Sequence, residues 1–398
     1  MRLLLIAALL GATTAQAGQL TARDPEGAPA PEDAFLIRYG AAPLEIACDG
    51  DATVRAIDVE PPPPALTWLE NGPRPDAEPY PITVSLDVTP DGRATAVRLT
   101  TPWVERRTFE RRTTPAAAPD APAVVEVTPR APSVPLRPDQ LEASIATWRF
   151  APGPTRRTGC RFELQPQAER LSEIDVDDLM DLGHDAAVFA LAVRVTADRE
   201  LIDPACGSLA PAALSFPDPA RMPKSAPGRR PWAVLSFDVD PAGTVREVRT
   251  RRSSGEAGLS EAWGEALATS RFHPGPGAKA CLMAAPGGST LLPPPPPFDR
   301  SAHVPDDARC ENGAARSLTG LLSPEFPPHY LGRWIEGRAL VRYDVRPDGR
   351  VTGVRAVAAE PGWAFAEPAE TVVGRATGPA SEAGFKGCLI SVRFALPE

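Results

Sequence analysis

The stretch Gly337 to Val357, GRALVRYDVRPDGRVTGVRAV, decides how the chain is read. Apolar residues alternate through Ala339, Val341, Tyr343 and Val345. A Pro347-Asp348-Gly349 turn follows, and Val351, Val354 and Val357 carry the return. Period-2 alternation on both sides of an Asp-Gly turn is the pattern of a β-hairpin. It occurs twice more, at Tyr80 to Leu99 (YPITVSLDVTPDGRATAVRL) and at Pro231 to Thr250 (PWAVLSFDVDPAGTVREVRT). In each copy an aspartate (Asp87, Asp238, Asp344) leads into the turn, whose glycine is Gly92, Gly243 or Gly349. Three copies of one pattern in 398 residues predict three tandem units.

The segment after each hairpin repeats as well. Leu141, Ile145 and Trp148 share one face of a predicted helix, with Asp139 and Glu142 spaced as a capping box at its start. Leu259, Trp263 and Leu267 do the same in the second unit. Val372 and Val373 do so in the third, where Pro368 suits a first turn and Gly378-Pro379 a stop. The helices end on Arg149-Phe150-Ala151-Pro152 and Arg271-Phe272-His273-Pro274, with Arg375-Ala376-Thr377-Gly378-Pro379 a decayed third version. A last strand then carries Cys160, Cys281 or Cys388. The fold class expected is α+β: three tandem β-β-α-β units, each a small antiparallel sheet covered by a helix. Their bounds read 32–168, 185–292 and 299–398. The first unit holds an insertion over about 105–135, with a Val124-Val125-Glu126-Val127 core, read as a protruding arm. Arg106, Arg107, Arg111 and Arg112 make it the most basic patch in the chain, either a solvated loop or an anion-binding site. Pro293 to Pro297 reads as a stiff spacer.

The N-terminus, MRLLLIAALLGATTAQAGQ, has a positive Arg2, an apolar run from Leu3 to Leu10 and a small-residue site at Ala15-Gln16-Ala17. Residues 1–17 are the pattern of a secretory signal peptide, and the apolar run is shorter than the ~20 residues that span a bilayer. The expected address is an oxidising compartment reached by export, with a soluble mature chain and no membrane span. The six cysteines fit an oxidising compartment. Several connectivities are open to them, and the repeat favours one bridge per unit: one of Cys48, Cys206 and Cys310 before each hairpin, one of Cys160, Cys281 and Cys388 in each final strand. Closing loops this long stabilises each unit by about 4 kcal/mol in the chain-entropy model. A metal site is the alternative use, but the Cys-x-x-Cys spacing is missing.

Charged residues are 23% and hydrophobic residues 43% of the chain, a globular balance, and the net charge of −9 argues against a nucleic-acid partner. The four histidines are scattered, and no nucleophile elbow or Walker loop is present. Gly275-Pro276-Gly277-Ala278-Lys279 resembles a phosphate loop only superficially, because its proline removes a donor and no Ser or Thr follows the lysine. Asp175, Asp177 and Asp178 lack the glycine and distal glutamate of a calcium loop and read as a solvated acidic turn. No catalytic, cofactor or metal site is expected, so the sequence points to binding and not to catalysis.

Taken in order, the hairpin, Ser253-Ser254-Gly255, the helix and Arg271-Phe272-x-Pro274 of the second unit resemble the TonB C-terminal domain family. So do Pro324-Glu325-Phe326-Pro327, Gly337 to Val341 and the Asp344 to Gly349 turn of the third. The likeness covers most of Tyr80 to Glu398 apart from linkers. It implies a periplasmic protein-binding domain that takes an extended segment of an outer-membrane receptor, or of another envelope protein, as an added strand. Carried over, the partner-binding edge is Leu389, Ser391 and Arg393 of the final strand, with Phe326 and Pro327 beside it. The bland reading is that these residues are only the core and edge of a small domain. The family's transducers keep a membrane helix and a long Pro-rich span, whereas here the N-terminus reads as cleavable and the spacers are short. Two alternatives stand beside the binding protein. One is a TonB-type energy transducer for transport across the outer membrane, if the N-terminus is retained as an anchor. The other is a structural or assembly factor of the envelope that exposes no free edge.

Overall fold

The computed structural model describes residues 34–68, 81–100, 110–114, 124–128, 138–170, 173–184, 189, 203, 205–206, 209, 213–256, 258–310 and 317–396. The signal peptide at 1–17, Arg106 and Arg107 lie outside them. The chain is a mixed α/β protein made mostly of small antiparallel sheets with few helices.

The elements that matter for function can be named in order. In the first third they are β1 (Glu45–Ala47), β2 (Thr53–Asp58), β3 (Ile82–Val88), β4 (Ala94–Thr100), α1 (Pro138–Ile145), β5 (Arg149–Phe150) and β6 (Arg157–Leu164). The middle holds β7 (Trp232–Val239), β8 (Val245–Ser253), α2 (Leu259–Ala268), β9 (Arg271–Phe272) and β10 (Ala278–Pro286). The last third holds β11 (Gly337–Val345), β12 (Val351–Glu360), α3 (Ala366–Gly374) and β13 (Phe385–Phe394). All three predicted hairpins form, as β3–β4, β7–β8 and β11–β12. In each sheet the strand after the helix returns antiparallel to the first hairpin strand: β6 on β3, β10 on β7, β13 on β11. The first sheet is larger than expected, because β1, β2 and β5 extend it to six strands. The insertion contributes a two-stranded antiparallel ribbon, Glu110–Thr114 on Val124–Thr128.

The turn glycine explains why the Arg-Phe-x-Pro segment recurs. Gly92, Gly243 and Gly349 lie in the left-handed region, at φ 81°, 80° and 85°. Their carbonyls accept from the amides of Phe150, Phe272 and Gly378 at 2.8, 2.9 and 2.9 Å. A Cβ on Gly243 would sit 2.0 Å from the Phe272 carbonyl oxygen, so no other residue fits both the torsion and the approach. Each hairpin tip is thereby tied to the end of its helix. The register also corrects the alignment of the three helix endings. Thr377-Gly378, not Arg375-Ala376, stands where Arg149-Phe150 and Arg271-Phe272 stand.

The aspartate before each turn has a structural use. Asp87, Asp238 and Asp344 accept the amides of Gly159, Ala280 and Gly387 at 3.0, 2.8 and 2.8 Å. Each donor has positive φ, at an irregularity one residue before the strand cysteine. Such bulges leave a backbone amide unpaired, and the carboxylate satisfies it. The disulfides are Cys48–Cys160, Cys206–Cys281 and Cys310–Cys388, as the repeat favoured.

Leu259, Trp263 and Leu267 of α2 are buried against the second sheet, each burial of such a side chain stabilising by roughly 1.5–3 kcal/mol. The outer face of that sheet is covered by Leu179, Met180 and Leu182 packed on Val234. Asp177 and Asp178 there pair with Arg251, Arg38 and Arg252, so this is a docked segment and not the solvated turn expected. The first and third sheets share one apolar core, in which Trp148, Phe150, Tyr343, Phe365 and Phe394 are fully buried. Polar bonds stitch the same seam. The Val97 amide donates to the Pro361 carbonyl at 2.8 Å, and Arg98 stacks 4.5 Å above the Trp363 ring. Glu142 does not close a capping box: α1 begins at Pro138, which puts Asp139 inside the helix. Its Oε1 accepts instead from the Tyr330 hydroxyl at 3.0 Å and the Ala364 amide at 2.7 Å. Arg333 of the last third reaches Glu60 at 2.7 Å and the Gly228 carbonyl at 3.4 Å, bridging all three parts.

The polyproline stretch is docked and not a free spacer. Arg93 donates to the Pro293 carbonyl and Arg338 to that of Pro295, which is buried. Among the described residues no helix is long and apolar enough to cross a membrane.

Candidate functional site

β13 has β11 on one side and ends the third sheet on the other. Its first residues are held from both sides. Lys386 exchanges main-chain bonds with Arg309 at 2.9 and 3.2 Å, Cys388 is bonded to Cys310, and Asp344 holds the Gly387 amide. Past that bulge, Val392 and Phe394 are buried in the core, whereas Ser391 and Arg393 are exposed on the opposite face. Leu389 lies on that same outer face but is buried, its carbonyl accepting from the Arg300 guanidinium. Beyond Lys386 the outer edge of β13 carries no strand among the described residues.

The first sheet treats the matching edge differently. There β1 lies antiparallel on β6, with Ala47 opposite Arg161, and the Asp49 amide donates to the Thr158 carbonyl at 3.0 Å. In the second sheet the Lys279 amide donates to Asp203 Oδ2 at 3.1 Å, and no strand runs along the outer edge of β10 among the described residues. Within Gly275–Lys279, which leads into β10, the Lys279 amide is thus engaged, and Gly275 donates to the Pro241 carbonyl at 3.0 Å.

The far end of β13 is fixed by Glu336, which is 6% exposed. Its Oε2 lies 3.3 Å from Arg393 Nη2, and its Oε1 accepts from the Leu396 amide at 3.0 Å. Arg338, next to it on β11, is pushed below its ordinary pKa first by burial and then by the like charge of Arg393, with Glu360 acting the other way. Burial alone drives the phenol of Tyr343 up to about 12, against a smaller downward pull from Arg300.

Of the five edge residues expected from sequence, Leu389, Ser391 and Arg393 form one row on the outer face. Phe326 and Pro327 do not join them. Phe326 packs edge-on against Phe365 and Phe394, with centroids 5.8 and 6.0 Å apart, and Pro327 is buried at the start of the short helix Pro328–Leu331. They support the strand from beneath. A neighbouring feature escaped the sequence reading: Leu291, Leu331 and Trp334 are exposed by 41%, 46% and 50%. Leu292 donates to the Trp334 carbonyl at 2.9 Å and accepts from Glu336 at 3.0 Å, which places this apolar group beside the end of β13. Trp334 holds φ at 55°, a conformation costly for an aromatic residue. The signal available was a tryptophan between Arg333 and Ile335 outside any periodic pattern.

Among the described residues no group of three or more His, Cys, Asp or Glu side chains is placed to hold a metal ion. The chemistry on offer along β13 is that of main-chain donors and acceptors, a cation and an adjacent apolar patch. No protein-family model matches the chain, and no curated protein is similar to it.

Proposed function

We propose that the chain is an exported binding protein of the cell envelope, built from three β-β-α-β units of the TonB C-terminal type. Its third sheet takes an extended segment of an outer-membrane receptor, or of another envelope protein, as a strand added along β13. The contrast between two equivalent edges carries this reading. β6 has its outer edge filled by β1, a strand addition made within the chain, while β13 is left open past Lys386 among the described residues. An unpaired edge strand is a template for another strand. Main-chain groups alternate between the two edges of a strand, so the Leu389 carbonyl that meets Arg300 implies that Ser391 and Arg393 turn theirs outward too. Three disulfides support an oxidising compartment. A structural or assembly role is the second reading, favoured by the core that the first and third sheets share.

Ser391→Pro separates the two. An outward amide at 391 is absent from the ladder with β11, and proline is tolerated on an edge in that position. The variant should melt like the parent yet lose binding of a synthetic peptide copied from the periplasmic N-terminal segment of an outer-membrane receptor. In the parent, that peptide should slow amide exchange at Ser391 and Arg393. Equal binding by the variant, or protection confined to other strands, would remove the edge from the proposal.

A further inference from the structure

The outer face of the third sheet carries a feature that strand addition does not use. A groove of about 470 Å³ runs between the segment Ala302–Pro305 and strands β11 and β12, a size at which pockets take small ligands or short peptide segments. Its cations are Arg342 and Arg355, with His303 beside them, and Val304, Pro305 and Val357 supply apolar wall. Arg342 and Arg355 are direct cross-strand partners. Like charges placed opposite one another in a sheet are destabilising, and nothing in the core requires this pair.

The other two hairpins serve as internal controls. At the matching positions Ser85 faces Arg98, and Ser236 faces Arg249. Both of those arginines are occupied: Arg98 stacks on Trp363, and Arg249 pairs with Glu247 at 2.8 Å. In the third hairpin the serine is replaced by a second arginine. Neither Arg342 nor Arg355 has an acidic partner among the described residues. Nearby carboxylates are engaged elsewhere. Asp344, two residues along the same face, binds the Gly387 amide; Asp299 accepts from the Ser301 amide and hydroxyl; Asp307 pairs with Lys386. No carboxylate lines the groove.

We infer that this groove is a binding site for an acidic, extended peptide segment of a partner protein, its carboxylates held by the Arg342–Arg355 pair and its apolar side chains by Val304 and Val357. Planar guanidinium forks match carboxylates with two parallel hydrogen bonds, which a facing pair can offer at adjacent points. The apolar wall favours a peptide over inorganic phosphate. The net charge of −9 disfavours a nucleic acid, whose phosphates need a broad basic field.

The test uses the full exported chain with its disulfides intact and calorimetry with an acetylated peptide alternating glutamate and valine. Binding is expected, weakening with added salt. It should fall by about tenfold or more in Arg342→Ser, in Arg355→Gln, and when glutamine replaces glutamate in the peptide. Because serine stands at this position in the other hairpins, Arg342→Ser should melt no lower than the parent, so a loss of binding would not be a loss of fold. Ser391→Pro should bind this peptide normally, which keeps the groove distinct from the β13 edge. Undetectable binding overturns the inference, as does equal affinity for the glutamine peptide or unchanged affinity in both arginine variants. Sodium phosphate binding as tightly as the peptide would make this an inorganic-anion site and also overturn it.

Discussion

Replacing Asp344 by alanine removes one hydrogen bond, and its consequences can be followed atom by atom. Oδ1 of Asp344 accepts the Gly387 amide at 2.8 Å, at a residue with φ 68°. That residue lies where the pairing shifts between Tyr343 opposite Cys388 and Val345 opposite Phe385. No strand carbonyl can replace the acceptor, because the bulge takes Gly387 out of the ladder. A bond to a charged acceptor contributes about 1.5–3 kcal/mol, and a half-buried carboxylate belongs in the lower part of that range, so Asp344→Ala should cost about 2 kcal/mol. Asp344→Asn keeps an acceptor without the charge and should cost about half as much. Guanidinium denaturation with the disulfides intact measures the totals, and amide exchange localises them. The Gly387 amide should lose its protection, while those of Ile390 and Val392, farther along β13, keep theirs. Unchanged protection at Gly387 in Asp344→Ala, or an asparagine variant as unstable as the alanine one, would refute the assignment of the carboxylate as the bulge's acceptor.

Arg333→Ala should cost about 3 kcal/mol, since removing one member of a buried pair leaves the other charge unpaired. The side chains of Arg333 and Glu60 are only 6% and 17% exposed. Denaturation of Arg333→Ala, Glu60→Gln and the double variant should give a double change smaller than the sum, and strict additivity would refute the pairing. Tyr343 predicts an alkaline effect. Its pKa, raised by burial to about 12, means that the folded state holds a proton which the unfolded chain releases near pH 10. Stability therefore falls as pH rises from about 10 to 12 and is unaffected by this group below 10. Tyr343→Phe should abolish that part of the fall in a pH series of thermal melts, and an unchanged slope would exclude Tyr343 as its source.

What was legible in the sequence was what local periodicity encodes. Alternation around Asp348-Gly349 gives the hairpin, and the spacing of Leu259, Trp263 and Leu267 gives the buried face of α2. The cysteine positions give the three bridges, because each repeats in step with a hairpin. The recurring Asp87, Asp238 and Asp344 were visible, but their use was not: the amide each accepts is tens of residues away, in a strand whose bulge leaves no mark on the pattern. Glu142 misleads for a related reason. Its spacing from Asp139 fits a local cap, yet its partners, Tyr330 and Ala364, come from the far end of the chain. Proline content alone reads as a spacer, and nothing local says that Arg93 and Arg338 will grip its carbonyls. At the candidate site, Leu389, Ser391 and Arg393 come from the family resemblance, and their spacing of two agrees with the one row they form. The resemblance puts Phe326 and Pro327 on the same surface, but a motif more than sixty residues upstream does not say which face of the sheet it packs on.

Three sheets of the same make within one chain pose a problem of edges. Each return strand is an end strand by construction, and an open end strand invites association with other chains. The chain meets this differently at each copy. β6 is closed by β1. β10 is touched at its start by Asp203 near the Cys206 bridge. β13 is pinned at one end by Arg309 and at the other by Glu336, with Arg300 on a carbonyl between them. Pinning the ends of a strand while leaving its middle unpaired keeps the edge straight and ordered, which lowers the entropy lost when a partner strand arrives. The exposed Arg393 discourages unselective pairing, as charges on edge strands do. On the proposed function, a sheet held this way, on a core shared with the first sheet, would be a rigid platform whose main chain reads an extended segment and whose side chains select it. The Arg342–Arg355 groove on its outer face would be a second, separate site that selects an acidic segment by charge.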